Sequence, residues 1–160
     1  MAPDLRIPAR ADQTATIIFL HGLGQTNESW SHTLNGMAAS LPSVEWILPQ
    51  APENPVSLNC GQRRSRWFDL HTLPPSRLEW DHQGVTASAA RIEAIIRGEM
   101  MRGIDPRHIL LVGFSQGAVL ALLVALSSLL ELGGVASLSG WIPQSAHQAS
   151  APPARYISGF

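Results

Sequence analysis

The chain has 160 residues, with 11 basic against 12 acidic side chains and a formal net charge of −1 at pH 7, every basic residue being arginine. Charged residues make up 14% and apolar ones 45%, a composition that predicts one core-rich globular domain over residues 1–160 and excludes a disordered polar tail. With no excess of positive charge, neither a dedicated nucleic-acid binder nor a polybasic membrane-surface protein is expected.

Residues 1–10 lack the apolar stretch of a secretory signal, and the sole cysteine, Cys60, cannot form an internal disulfide. Both features point to a reducing, cytoplasmic setting. Residues 14–20 (TATIIFL) form a β-branched, apolar run of strand length that stops at His21-Gly22-Leu23-Gly24, a glycine turn. Asn27 is expected to cap a helix carrying Trp30, Leu34, Met37 and Leu41 on one face, ended by Pro42. Residues 44–48 (VEWIL) read as a second strand. Residues 49–80 are proline-rich and without clear periodicity, which predicts a long irregular excursion of the kind that is usually functional.

Asp81 opens a second helix in which Val85, Ala89, Ile92, Ile96 and Met100 recur on one face, until Gly103 stops it. Residues 108–112 (HILLV) read as a strand buried on both sides, and 116–130 as a helix apolar nearly all round, which other structure must cover. The uncharged stretch 109–130 is long enough to span a membrane, but the sequence GFSQG in its middle reads as strand, turn and helix, so no transmembrane segment is expected. Residues 135–138 (VASL) form a short final strand. Strands alternating with helices predict an α/β fold, a mainly parallel sheet with helices on both faces and a ligand crevice at the carboxyl ends of its strands.

Both glycine turns fall at that edge. Gly113-Phe114-Ser115-Gln116-Gly117 lies between a strand and an apolar helix, the context of a nucleophile elbow. A serine there sits in a strained turn, so the positions two before and two after must be small. His21-Gly22-Leu23-Gly24 is suited to an oxyanion hole, which needs two backbone N–H donors about 3 Å from the developing charge. The amides of Gln116 and Leu23 are the two candidates; alternatively the turn only joins strand to helix. A dinucleotide fingerprint at Gly22-x-Gly24-x-x-Asn27, with Glu45 as the ribose acid, fails twice. The third glycine is Asn27, and Glu45 falls near the start of its strand rather than at the carboxyl end.

Five segments, FLHGLGQT at 19–26, WILPQAPENPVSLN at 46–59, SRWFD at 65–69, GFSQGAVLAL at 113–122 and LSGWIP at 138–143, occur in the order and spacing of one family. Over residues 14–143 the chain resembles the carboxylesterase, phospholipase and acyl-protein thioesterase family of α/β-hydrolases. The resemblance implies an α/β-hydrolase fold and cofactor-independent, serine-dependent hydrolysis of esters and thioesters of fatty acyl groups, including S-acylated proteins. It makes Ser115 the nucleophile and the amides of Leu23 and Gln116 the oxyanion hole. Trp67 and Trp141, in matched motifs, are expected near the substrate groove, with a packing role equally open to them.

A serine nucleophile needs a histidine base and an orienting carboxylate, in this fold in the order Ser, Asp or Glu, His. After Ser115 only Glu131 and His147 remain. Glu131 falls at the far end of the helix that begins beside the serine, on the order of 24 Å away. His147 lies on a polar tail without a defined acid. None of His21, His32, His71, His82 or His108 sits where the family's base falls, and no two share the spacing of a helical metal site. The family carries its acid and histidine after further strands, so the chain is expected to be carboxyl-terminally truncated relative to it and weak or inactive alone. Residues 135–138 would then be an uncovered edge open to self-association. A non-catalytic acyl-group or protein-binding module is the alternative reading.

Overall fold

The computed structural model of the chain describes residues 3–73 and 80–142. In chain order the elements are β1 (Leu5–Ile7), β2 (Ala15–Leu20), α1 (Ser31–Ala39), β3 (Val44–Leu48), β4 (Glu53–Val56), β5 (Gln62–Ser65), α2 (His82–Met101), β6 (Ile109–Phe114), α3 (Gln116–Ser127) and β7 (Gly134–Leu138). Five strands form one sheet in the order β1-β3-β2-β6-β7, and β4 and β5 form a separate antiparallel pair. The pairings of β3, β2, β6 and β7 are parallel, with Ile18 opposite Ile47, Leu20 opposite Gly113, and Phe114 opposite Leu138. The first strand, β1, is antiparallel to β3, with Leu5 opposite Leu48.

Because side chains alternate across a strand, the apolar runs of β2 and β3 feed two cores. Ile18, Leu20 and Ile47 join Ile92 and Ile96 of α2 and Val119 and Leu120 of α3 on one face. Ile17, Phe19, Trp46 and Leu48 pack against Leu34 and Ala38 of α1 on the other. Helices therefore cover both faces, as an α/β pattern requires. The expected face of α2 is present, with Ile92 and Ile96 fully buried and Val85, Ala89 and Met100 packed at its margin. Asp81 starts the helix by accepting the Gly84 N–H at 2.8 Å, and Gly103, at φ +95°, ends it in the left-handed conformation glycine tolerates.

Several expectations are corrected. Asn27 does not cap α1: a 3-10 turn, Asn27–Trp30, precedes the helix, Thr26 takes the cap position, and the Asn27 side chain donates inward to the carbonyls of Pro3 and Leu48. Consequently the buried face of α1 is Leu34 and Ala38, with Met37 and Leu41 exposed. The excursion from residue 49 contains the β4–β5 hairpin, whose turn holds Cys60 at φ 52°. Strand β6 is not buried on both sides, since α1 lies over β2 and β3 and leaves Leu110 36% exposed. Helix α3 ends at Ser127 rather than 130, where Ser128 turns extended.

Among the described residues β7 is an edge strand paired only with β6, and Val135 and Leu138 on it are exposed. No described helix is long and apolar enough to cross a membrane.

The amino ends of the central strands are closed by charge. Thr16 and Glu45 are register partners in β2 and β3, and Glu99 of α2 is brought beside them with no exposed surface. Its carboxylate accepts from Thr16 Oγ1 at 2.9 Å, Gln13 Nε2 at 3.2 Å, and Arg6 and Arg102 at 3.0 Å each. The same two arginines bind Glu45, at 2.5 and 3.1 Å. Burial alone would raise the Glu99 pKa. The hydrogen bonds from Arg6, Thr16, Gln13 and Arg102 outweigh it and hold the carboxyl below its ordinary range. Glu45, rejected as a ribose ligand from its place in the strand, is thus part of an ionic lock.

A carboxyl with a depressed folded-state pKa contributes stability that is present above its unfolded value and lost as pH falls through the folded one. Glu99→Gln is therefore expected to lower stability by about 2–3 kcal/mol at neutral pH, discounted for the half-exposed arginines. Urea unfolding should also show the wild-type advantage shrinking below pH 4.5, the ordinary glutamate value.

Candidate active site

Ser115 joins β6 directly to α3 in a conformation foreign to either element, φ 51° and ψ −115°. A non-glycine residue held there stores on the order of 1–3 kcal/mol of backbone strain. Three contacts impose it. A Cβ on Gly113 would lie 2.3 Å from the Gly117 carbonyl oxygen, and one on Gly117 would lie 2.2 Å from the Leu20 oxygen and 2.6 Å from that of His21. Both positions must be glycine for α3 to start against the end of β2. The Ser115 amide donates to Leu138 O at 2.8 Å, tying the turn to the end of β7. Ser115 is half-buried at the carboxyl edge of the sheet, and none of the hydrogen bonds described involves its hydroxyl.

The turn after β2 lies beside it. His21 is buried, and its ring is held twice: Nε2 accepts from the Ala51 amide at 3.1 Å, so Nδ1 carries the proton and donates to Gly22 O at 2.9 Å. Burial pushes its pKa below that of an ordinary imidazole, so the ring is neutral at pH 7. A ring engaged on both nitrogens is a brace, not a base. Gln25 Oε1 accepts from the Gly22 amide at 2.9 Å and from the Trp30 indole at 3.0 Å. Gly24, at φ +74°, donates to Ser65 O at 2.8 Å. The neighbouring amides of Leu23 and Gln116 make no hydrogen bond within the described residues.

Of the two roles open to Trp67, groove or packing, its 2% exposure in the core fits packing. Its indole N–H donates to His21 O at 2.8 Å, and its ring lies 5.2 Å from the imidazole. Trp141 is half-buried against the apolar cluster of α2 and α3. It follows Ser139, at φ 56°, and Gly140, where a Cβ would meet Ala118 Cβ at 2.7 Å, so its segment passes the first turn of α3.

Sequence reasoning missed the side chain of Gln116. It is fully buried, its oxygen accepting the Trp67 amide at 2.9 Å and its nitrogen donating to Phe68 O at 2.7 Å. The available signal was a polar residue at the start of an otherwise apolar helix.

Glu131 is exposed in the loop before β7. That strand begins opposite Leu110, near the amino end of β6, whereas Ser115 follows Phe114 at the carboxyl end. Glu131 is therefore remote from the serine although α3 is shorter than expected. His108 precedes β6 at the same distant edge. His147 lies outside the described residues. No group of three or more metal-ligating side chains is present among the described residues.

A protein-family model described as phospholipase/carboxylesterase matches residues 6–156. The acyl-protein thioesterase 1 of Yarrowia lipolytica is 39% identical over 143 residues, 88% of this chain and 63% of that protein. The acyl-protein thioesterase 1 of Cryptococcus neoformans is 39% identical over 87% of this chain and 59% of its own length. The chain thus spans about three-fifths of these relatives. Among solved structures, Zea mays acyl-protein thioesterase 2 superimposes with a TM-score of 0.76 at 31% identity, covering 94% of this chain and 69% of that one. Arabidopsis thaliana SOBER1 gives 0.73 at 32% identity, covering 81% and 63%.

The contacts at Gly117 are with main-chain atoms that cannot move aside. Gly117→Ala is expected to cost about 3 kcal/mol or more. Gly24→Ala, strained in φ but with open space around it, should cost only about 1 kcal/mol. Urea midpoints compare the two, and equal losses would refute the assignment of the close contact to Gly117.

Proposed function

The chain belongs to the phospholipase/carboxylesterase family of α/β-hydrolases, and on that premise we propose that it carries the nucleophile and oxyanion hole of a serine hydrolase acting on carboxylic esters or thioesters of fatty acyl groups. The observation that carries the reading is the Ser115 elbow. A strained serine at the start of α3, flanked by two glycines packed on backbone, is expensive to maintain and suited to nucleophilic attack.

In this reading Ser115 Oγ attacks the acyl carbonyl, and the negative charge that develops on its oxygen is received by the amides of Leu23 and Gln116, at the positive end of α3. The alcohol or thiol leaves with a proton, and water then releases the acyl group from the serine. A base must accept the Ser115 proton, and no hydrogen bond or ion pair within the described residues joins a histidine or carboxylate to that hydroxyl. Acid and base are accordingly assigned to no described residue. S-acylated proteins and fatty-acyl esters are the substrate class proposed, following the names of the relatives, and a cytoplasmic setting belongs to the same reading. Trp141, beside the elbow, is the residue proposed to touch the acyl chain.

That no described histidine or carboxylate is joined to the Ser115 hydroxyl also favours a second reading, a module that binds an acyl group or a protein without turnover. Two experiments separate them. A fluorophosphonate should label the protein at Ser115, and Ser115→Ala should take up none; equal labelling of both would sink the hydrolase assignment. Hydrolysis of a short-chain aryl ester by the 160-residue chain, lost in Ser115→Ala, would rule out the non-catalytic module.

A further inference from the structure

Gln116 carries one of the two oxyanion donors on its backbone, and its side chain is committed elsewhere. The buried amide bridges the backbone of residues 67 and 68, accepting from Trp67 N at 2.9 Å and donating to Phe68 O at 2.7 Å. The Trp67 indole, anchored by that bridge, donates to His21 O at 2.8 Å. His21 in turn donates through Nδ1 to Gly22 O at 2.9 Å, one residue before the second donor, Leu23. An unbroken path of hydrogen bonds therefore leads from the residue bearing one amide to the turn bearing the other. The whole path is buried: Gln116 is 0%, His21 1% and Trp67 2% exposed.

We propose that the Gln116 side chain and the Trp67 indole are positioning groups: together they form a strut that fixes the separation of the Leu23 and Gln116 amides. This rests on the hydrolase reading above. Direct packing alone brings the two segments together, since Gly117 abuts the oxygens of Leu20 and His21. That contact sets how near α3 comes to the end of β2. It does not set the orientation of the peptide planes beyond His21, which bear the Leu23 N–H. The indole bond to His21 O and the ring's own bond to Gly22 O restrain the two carbonyls just before that amide. A single N–H at the end of a rigid ring restrains a carbonyl without loading the chain with a flexible partner. Misplacing a donor by about 1 Å is enough to lose much of the stabilisation it gives a transition state.

The strut has two independent joints, which makes it testable. Trp67→Phe keeps the ring in the core and removes only the N–H to His21 O. Gln116→Glu keeps the shape and turns the donor facing Phe68 O into an acceptor. Ser88→Ala is the control: Ser88 Oγ donates to Trp67 O at 2.5 Å and fastens the same loop to α2, so its removal leaves the Gln116 and indole hydrogen bonds of the path in place. Saturation kinetics of fluorophosphonate labelling separate reversible binding (KI) from phosphonylation (kinact), whose oxygen must enter the hole.

Trp67→Phe should lower kinact about ten- to a hundredfold with KI within about twofold. Ser88→Ala should leave kinact within about twofold. An unchanged kinact in Trp67→Phe overturns the strut, and so does an equal loss in Ser88→Ala, which would trace the effect to general loosening of the loop. If Gln116→Glu fails to fold, Trp67→Phe alone decides. Absence of labelling in the wild type would instead count against the hydrolase reading itself.

Discussion

The first turn of α3 lies directly on the carboxyl end of β2, and the missing side chain at position 117 is what permits it. With Gly117 against the oxygens of Leu20 and His21, and Gly113 against the backbone of 117, strand β6 has no room to run on into a helix through ordinary angles. Ser115 absorbs the whole change of direction at φ 51°. The register of β6 on β2, which sets Leu20 opposite Gly113, then delivers the serine next to the turn after β2 rather than one residue away from it. The strained serine, the neighbouring amides and the buried Gln116 side chain all follow from that one close approach.

Strain of this kind persists only where surrounding structure over-determines it. Here the restraint comes from three sides. β7 accepts the Ser115 amide through Leu138 O, α3 begins immediately after the serine, and the 67–68 segment grips Gln116. Each of these belongs to a different stretch of sequence, so the elbow is a property of the assembled sheet and not of the GFSQG motif by itself.

Much of this was readable in the residues. β2 and β3 were legible as short apolar runs, α2 because its apolar positions keep a helical period, and the elbow because glycines flank a serine between a strand and an apolar helix. β1 was not, for Leu5–Ile7 is too short to show a pattern and exists as a strand through its pairing with β3. The β4–β5 hairpin was hidden by Pro55 in one strand and by the arginines of QRRS in the other. Glu99 sits at the buried spacing of Ile92 and Ile96, and a charge at a core position was the available hint; its four partners come from three other segments and from the end of its own helix. For Trp67 the motif left groove and packing both open. Its indole partner, the His21 carbonyl, lies forty-six positions away, out of reach of any local pattern.

The charged lock and the serine elbow occupy opposite ends of the same strands. Thr16 and His21 bound β2, roughly 16 Å apart at about 3.3 Å per residue. One end of the sheet is held by arginine and glutamate, the other by glycine contacts and strain. Helix α2 also joins the two ends: Glu99 lies in the lock, while Ser88 of the same helix donates to Trp67 O and Ile92 and Ile96 pack with Val119 and Leu120 of α3. The charges that close the sheet thus stand outside the cleft, so a change of pH that weakens the lock reaches the serine through the seating of α2 and not by altering the charge beside it.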